Sequence, residues 1–190
     1  VPGNTPTNLK LGELAANIPD KKIWIGDSVN SAIKLFDGFA TSNIEYSLVQ
    51  DVRQLGEDGG TSREKKWNVR ALNTISHDAF NNVSLVGDDF VLSAGLYRIL
   101  VTAPVKDVEM HKLRIYNETA SAVEFEGCAI KSGESGTIAS AVGTIVSNGS
   151  DLYEIHHYTE KKQERDGLGD AANLGFNEIY TNVEIIKIGA

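Results

Sequence analysis

Four histidines, a single cysteine and a glycine-flanked pair of aspartates are the side chains best suited to chemistry in this 190-residue chain. His156 and His157 are adjacent, and adjacent imidazoles suggest a metal site. In a β-strand, however, neighbouring side chains point to opposite faces, so these two rings cannot hold one ion together. A shared site would need His77 or His111 to arrive from another strand. The expectation is one packed ring, one exposed ring and no metal. Asp166-Gly167-Leu168-Gly169-Asp170 sets two carboxylates in a glycine loop, but the third acidic position and the terminal glutamate of a calcium loop are missing. A hairpin loop at one end of a sandwich is the reading instead. A Gly-x-Gly-x-x-Ala string runs from Gly167 to Ala172, yet the dinucleotide fingerprint needs an apolar strand before it and Lys161–Asp166 is wholly polar. No cofactor is implied. Cys128 has no cationic neighbour before Lys131 to activate its thiol, so it reads as a small buried side chain. No Gly-x-Ser-x-Gly elbow is present, and carboxylates are so numerous that their abundance is no evidence for a glycosidase pair. The chain is expected not to be an enzyme.

One run is more pointed. His111-Lys112-Leu113-Arg114-Ile115-Tyr116-Asn117 alternates, so Lys112, Arg114 and Tyr116 share one face of a strand and His111, Leu113 and Ile115 the other. A basic, aromatic face on an acidic protein suits either a saccharide ligand or an interface between identical subunits whose glutamates neutralise it. The interface is favoured, because Arg, Tyr and Lys stems cover apolar area well.

Those residues must be held by something, and composition limits what. The chain is 41% hydrophobic, 23% charged and 7% aromatic, which excludes intrinsic disorder. No stretch approaches the roughly 18 unbroken apolar residues of a membrane span. One cysteine allows no internal disulfide. A net charge of −8 argues against nucleic acid, whose binding rests on basic groups. Residues 67–190 hold ten basic and seventeen acidic side chains, so most of the excess lies there.

From Trp67 onward the pattern is strongly β. Apolar runs at Trp67–Ile75, Phe90–Leu92, Leu96–Ala103, Leu113–Tyr116, Ala122–Phe125, Thr137–Val146, Leu152–His157 and Glu178–Ile188 are separated by Gly, Asn and Asp breakers. Tyr97, Ile99 and Val101 fall on one face. Tyr180, Asn182, Glu184 and Ile186 oppose Ile179, Thr181, Val183 and Ile185. About eight strands without intervening helices predict an all-β antiparallel sandwich or jelly roll. Residues 1–40 form a small segment of short strands near Leu9–Leu14, Lys22–Asp27 and Ala32–Phe36, with turns at Asn17-Ile18-Pro19-Asp20 and Asp37-Gly38. Two or three strands are marginal alone, so this segment needs partner chains. Residues 41–66 read as a connector. Within it Ile44, Leu48, Val52 and Leu55 sit at helical spacing, and Glu57–Ser62 reads as a flexible loop. Because the sequence starts at Val1 without an initiator methionine, it is expected to continue a longer polypeptide.

Two stretches resemble known proteins. Leu11-Gly12-Glu13-Leu14-Ala15, then Asp20-Lys21-Lys22-Ile23-Trp24-Ile25-Gly26-Asp27 and a closing Asp37-Gly38, resemble a short repeat of bacteriophage fibre and other virion proteins. The turn Asn17-Ile18-Pro19-Asp20 departs from it by lacking the usual small residue before the Asp. Residues 63–188 resemble the C-terminal domain of a group of phage fibre proteins. The strings that carry this are Arg63–Asn73, Gly95-Leu96-Tyr97-Arg98 with Ala103-Pro104, His111–Asn117, Glu154-Ile155-His156-His157-Tyr158, Gly167-Leu168-Gly169 and Glu178–Ile185. Such domains are similar to the tumour-necrosis-factor or complement-globular-head jelly roll.

The resemblance implies a homotrimer, with two identical chains as partners of each. It also implies contacts to other virion proteins on the N-terminal side and location on the phage particle. A host-surface glycan or protein is the implied ligand. The loops around Asp88, Asp89, Glu134, Asp166 and Asp170 are candidate receptor contacts, since loops carry variable binding. Neither nucleic acid nor membrane insertion is expected. A capsid head fibre, decoration or collar component is the alternative, and a glycan-degrading depolymerase a further one.

Overall fold

The computed structural model describes residues 5–19, 22–27, 32–37 and 44–189, in two compact units, Val1–Asn43 and Ile44–Ala190. In the first, β1 (Leu14–Asn17), β2 (Lys22–Gly26) and β3 (Ala32–Asp37) form a three-stranded antiparallel sheet in that order. The first strand begins at Leu14 rather than Leu9, because Leu11-Gly12 make a turn. Gly12 takes a φ of 76° there, and Gly12 N donates to Gly26 O at 2.9 Å. Leu9 and Trp24 are buried, while Leu11, Leu14 and Ile18 are exposed. Asp20 and Gly38, parts of the two expected turns, lie outside the described residues.

The second unit contains β4 (Glu45–Arg53), β5 (Lys66–Val69), β6 (Thr74–Asp78), β7 (Val83–Val86), β8 (Asp89–Leu92), β9 (Gly95–Val105), β10 (Glu109–Asn117), β11 (Ala122–Glu126), β12 (Ile130–Ser132), β13 (Thr137–Ser147), β14 (Leu152–Thr159) and β15 (Glu178–Gly189). Among the described residues every regular element is a strand. One sheet runs β13-β9-β15-β4-β6. The other runs β11-β10-β14-β8-β7, with β12 beside β10 and β5 beside β14. All pairings are antiparallel. The core lies between the sheets and is built from alternate residues: Tyr97, Ile99, Val101 and Ala103 of β9 face Leu113, Ile115, Tyr153 and Ile155 of the other sheet. At one margin the Phe125 ring lies against Gly143, where any Cβ would stand 2.4 Å from it.

The expected connector at 41–66 is corrected. Residues 45–53 form β4, paired with β15 over its length and with β6 on its other side. Ser47, Val49 and Asp51 point inward, a period of two, so the helical spacing of Ile44, Leu48, Val52 and Leu55 has no structural expression. The second unit therefore begins at Ile44 rather than near Lys66. Nor is the loop at 57–62 loose. Gly59 N donates to Gly169 O at 2.8 Å, and Ser62, fully buried, pairs with Gln163. The stretch at 166–170 is correspondingly not a hairpin, because β14 and β15 belong to different sheets and residues 160–177 cross between them.

Candidate functional site

The outward face of the larger sheet is a grid set by register. Trp67 of β5 pairs with Tyr158 of β14, which pairs with Lys112 of β10. Val69 pairs with His156, which pairs with Arg114, and Glu154 pairs with Tyr116. The alternation that put Lys112, Arg114 and Tyr116 on one face thus holds, and β14 and β5 add Glu154, His156, Tyr158 and Trp67 beside them.

These side chains form one connected network. The Arg114 guanidinium lies 4.1 Å from the centre of the Trp67 ring and 4.9 Å from that of Tyr116. Its Nε and Nη2 reach His156 Nδ1 at 3.1 and 3.0 Å, and the His156 ring stacks on Tyr116 at 4.9 Å. Since arginine can only donate, His156 Nδ1 must accept, which puts the ring proton on Nε2. That nitrogen meets Glu154 Oε2 at 2.5 Å. Glu154 in turn raises the carboxyl pKa of Asp89, after burial the next largest cause. Lys112 pairs with Glu126 of β11. Lys112 thus finds a counter-charge and Arg114 an acceptor within the chain, and the network presents oriented donors, acceptors and rings at the surface.

The adjacent histidines are both covered, which corrects the expectation that one would be exposed. His156 is covered by its outward neighbours, and His157 points into the core. There His111 does arrive from β10, with His111 Nδ1 3.0 Å from His157 Nε2 and His111 Nε2 2.7 Å from Thr137 Oγ1. Among the described residues His157 Nδ1 has no hydrogen-bond partner. Burial pushes the His111 pKa down to about 4; burial, helped by the charge of Arg70, holds His157 well below its ordinary value. Among the described residues no group of three or more His, Cys, Asp or Glu is arranged to hold a metal ion. Cys128 is exposed rather than buried, because it sits in the loop between β11 and β12.

The five acidic loop residues do not form one site. Asp88 lies in the two-residue turn between β7 and β8, and Asp89 opens β8 beside the Glu154 network. Glu134 is exposed between β12 and β13. Asp166 and Asp170 both hold Lys106 Nζ, at 2.9 and 2.7 Å. Their carboxylates are thus paired with an internal cation.

The smaller sheet offers a different surface. Ile138, Val142 and Val146 project from β13 with exposures of 67%, 53% and 80%. Register sets them beside Pro104, Leu100 and Leu96 of β9, and Ile186 of β15 and Tyr46 and Leu48 of β4 continue the face. Arg98 and Glu184 stand exposed within it, with no salt bridge among the described residues. Its apolar residues alternate with Ser140, Thr144, Thr102 and Asn182, and its β4 margin was hidden in the sequence, because β4 was not read as a strand.

Comparison with solved structures follows the topology. Vertex protein P5 of PRD1 superposes with a TM-score of 0.51 at 15% identity, covering 77% of this chain and 99% of that one. The fold is a jelly roll. The globular domain of zebrafish complement 1qA gives a TM-score of 0.48 at 14% identity, over 77% of this chain and 98% of that one. Murine APRIL gives 0.49 at 10% identity, over 75% and 99%. The sequence matches no protein-family model and no curated protein.

Proposed function

We propose that the chain is a structural, non-enzymatic virion fibre protein of a bacteriophage, homotrimeric through its jelly roll, which contacts the host surface. The observation that carries the reading is the open apolar face of the smaller sheet. Exposed apolar strips of this kind mark association surfaces. A second copy of the chain is the fitting occupant, because the face carries both Arg98 and Glu184, which form no salt bridge among the described residues and are complementary between copies. A heterologous contact between such faces closes into a ring when the rotation is right, and a three-fold ring leaves no open end. The exposed Leu11, Leu14 and Ile18 of the first unit would gain partners in the same way.

With the smaller sheet turned toward its copies, the Trp67–Arg114–Tyr116–His156 network faces outward and serves as the ligand side, in place of the subunit interface favoured from the sequence. Stacked rings beside fixed donors and acceptors suit a cell-surface glycan, and three copies on one head convert weak contacts into stable attachment. Binding of labelled protein to candidate host bacteria, and competition with phage adsorption, tests this. Saturable binding that blocks adsorption is expected; no binding to any cell the phage infects contradicts it.

The likeness to the PRD1 vertex protein favours a second reading, a capsid fibre rather than a tail fibre. Antibody labelling of intact particles separates the two, with label on the capsid under the second and at the tail under the first.

A further inference from the structure

The geometry points to a self-catalysed covalent cross-link, and we propose that Lys187 forms an isopeptide bond with Asn82. Register places Lys187 of β15 between Glu45 of β4 and Tyr97 of β9. Asn82, just before β7, is buried, and its side chain is held from both ends. Its Nδ2 donates to Glu45 Oε2 at 2.9 Å. Its Oδ1 accepts from Ser93 Oγ at 2.9 Å, and the Tyr97 hydroxyl lies 2.6 Å from that Oγ and 3.4 Å from the same Oδ1. Lys187 Nζ approaches this Oδ1 at 3.5 Å and Ser93 Oγ at 3.3 Å, above the Tyr97 ring. Gly95 makes room for it: a Cβ there would stand 2.6 Å from Lys187 Cε.

Each group has a part in acyl transfer from the amide. Ser93, backed by Tyr97, donates to the carbonyl oxygen, which polarises Cγ and stabilises the oxyanion as it forms. The lysine must attack as the free amine, so its ammonium first loses a proton to water. A swing of the flexible lysine end then brings Nζ from Oδ1 onto Cγ, within the reach at which bound groups react. The Nζ–Cγ bond forms, the Cγ–Nδ2 bond breaks, and Glu45 passes a proton from the attacking nitrogen to the departing one, which is already its hydrogen-bond partner. Ammonia leaves, and no oxidation occurs. The product ties the last strand of the unit to the segment before β7, 105 residues away in sequence. That closes a long loop in the unfolded chain, which is where a cross-link gains most.

Intact mass of the denatured wild-type chain is the test, with peptide mapping and the variants Lys187→Arg and Glu45→Gln. The expected result is a wild-type chain lighter than its sequence by one ammonia, with a branched peptide joining Asn82 to Lys187. Both variants should show full mass, and Lys187→Arg should lower Tm by roughly 10–20 °C. A wild-type chain at full sequence mass overturns the proposal. So does an ammonia deficit that persists in Lys187→Arg, since that would be a succinimide, for which the exposed Asn148-Gly149 is the natural place.

Discussion

His111 Nδ1 stands 3.0 Å from His157 Nε2 inside the sandwich, and among the described residues neither ring has a carboxylate to support a charge. The groups around them are Thr137 on His111, the Asn68 amide on the His157 carbonyl, and the positive charge of Arg70. Both histidines therefore fold in the neutral form, with pKa values below the ordinary 6.5. The unfolded chain binds more protons wherever the pH lies between the folded and unfolded values, so stability is full above about 6.5 and falls on acidification. For His111 the window runs from 6.5 down to about 4. The expected loss is of order 3 kcal/mol across it. Urea midpoints at pH 7.5 and 4.5 should differ accordingly, and His111→Gln should flatten the dependence. Equal midpoints at the two pH values would contradict the neutral pair.

Arg70 is fully buried and donates to Thr181 Oγ1 and to the carbonyls of Leu168, Tyr180 and Pro104. Burial lowers its pKa to about 10, which leaves it charged at neutral pH. It fastens the crossing loop at 168 to β15. Arg70→Met strands these acceptors and should cost about 2–4 kcal/mol in denaturant unfolding. Arg70→Lys should not restore it, because an ammonium cannot span the same four acceptors. A wild-type midpoint in Arg70→Met would show that the loop is held otherwise.

On the outward face, Arg114→Ala removes the group that joins Trp67, Tyr116 and His156. Host-cell binding should weaken by about tenfold or more, as for a central arginine anchor, while molar mass in solution stays unchanged. Undiminished binding in this variant would move the ligand site to the loops.

How far these features can be read from sequence depends on the range of the contact. Alternation made the faces of β9 and β10 legible, and Tyr97, Ile99 and Val101 lie in the core as their spacing requires. Parity failed on β15, where a register shift between Ile179 and Thr181 turns both Tyr180 and Thr181 inward. A bulge inserts one residue and so flips every later side chain relative to the earlier ones. β4 was hidden for another reason: Leu48 and Val52 lie toward the open face, so their spacing mimicked a helix while the inward positions include Ser47 and Asp51. The meeting of His111 with His157, and of Lys187 with Asn82 and Glu45, follows only from strand order, which no local pattern encodes.

The open face of β13, β9, β15 and β4 decides whether the unit of function is one chain or three. Substituting Leu100→Asp, in the middle of that face, should split the assembly, since a buried carboxylate without a partner is costly. Sedimentation equilibrium or light scattering on the wild-type protein at micromolar concentration is the direct measurement. The account predicts a mass three times the 20.6 kDa chain, falling to one chain in Leu100→Asp. A wild-type protein that stays at the mass of a single chain would contradict the homotrimer.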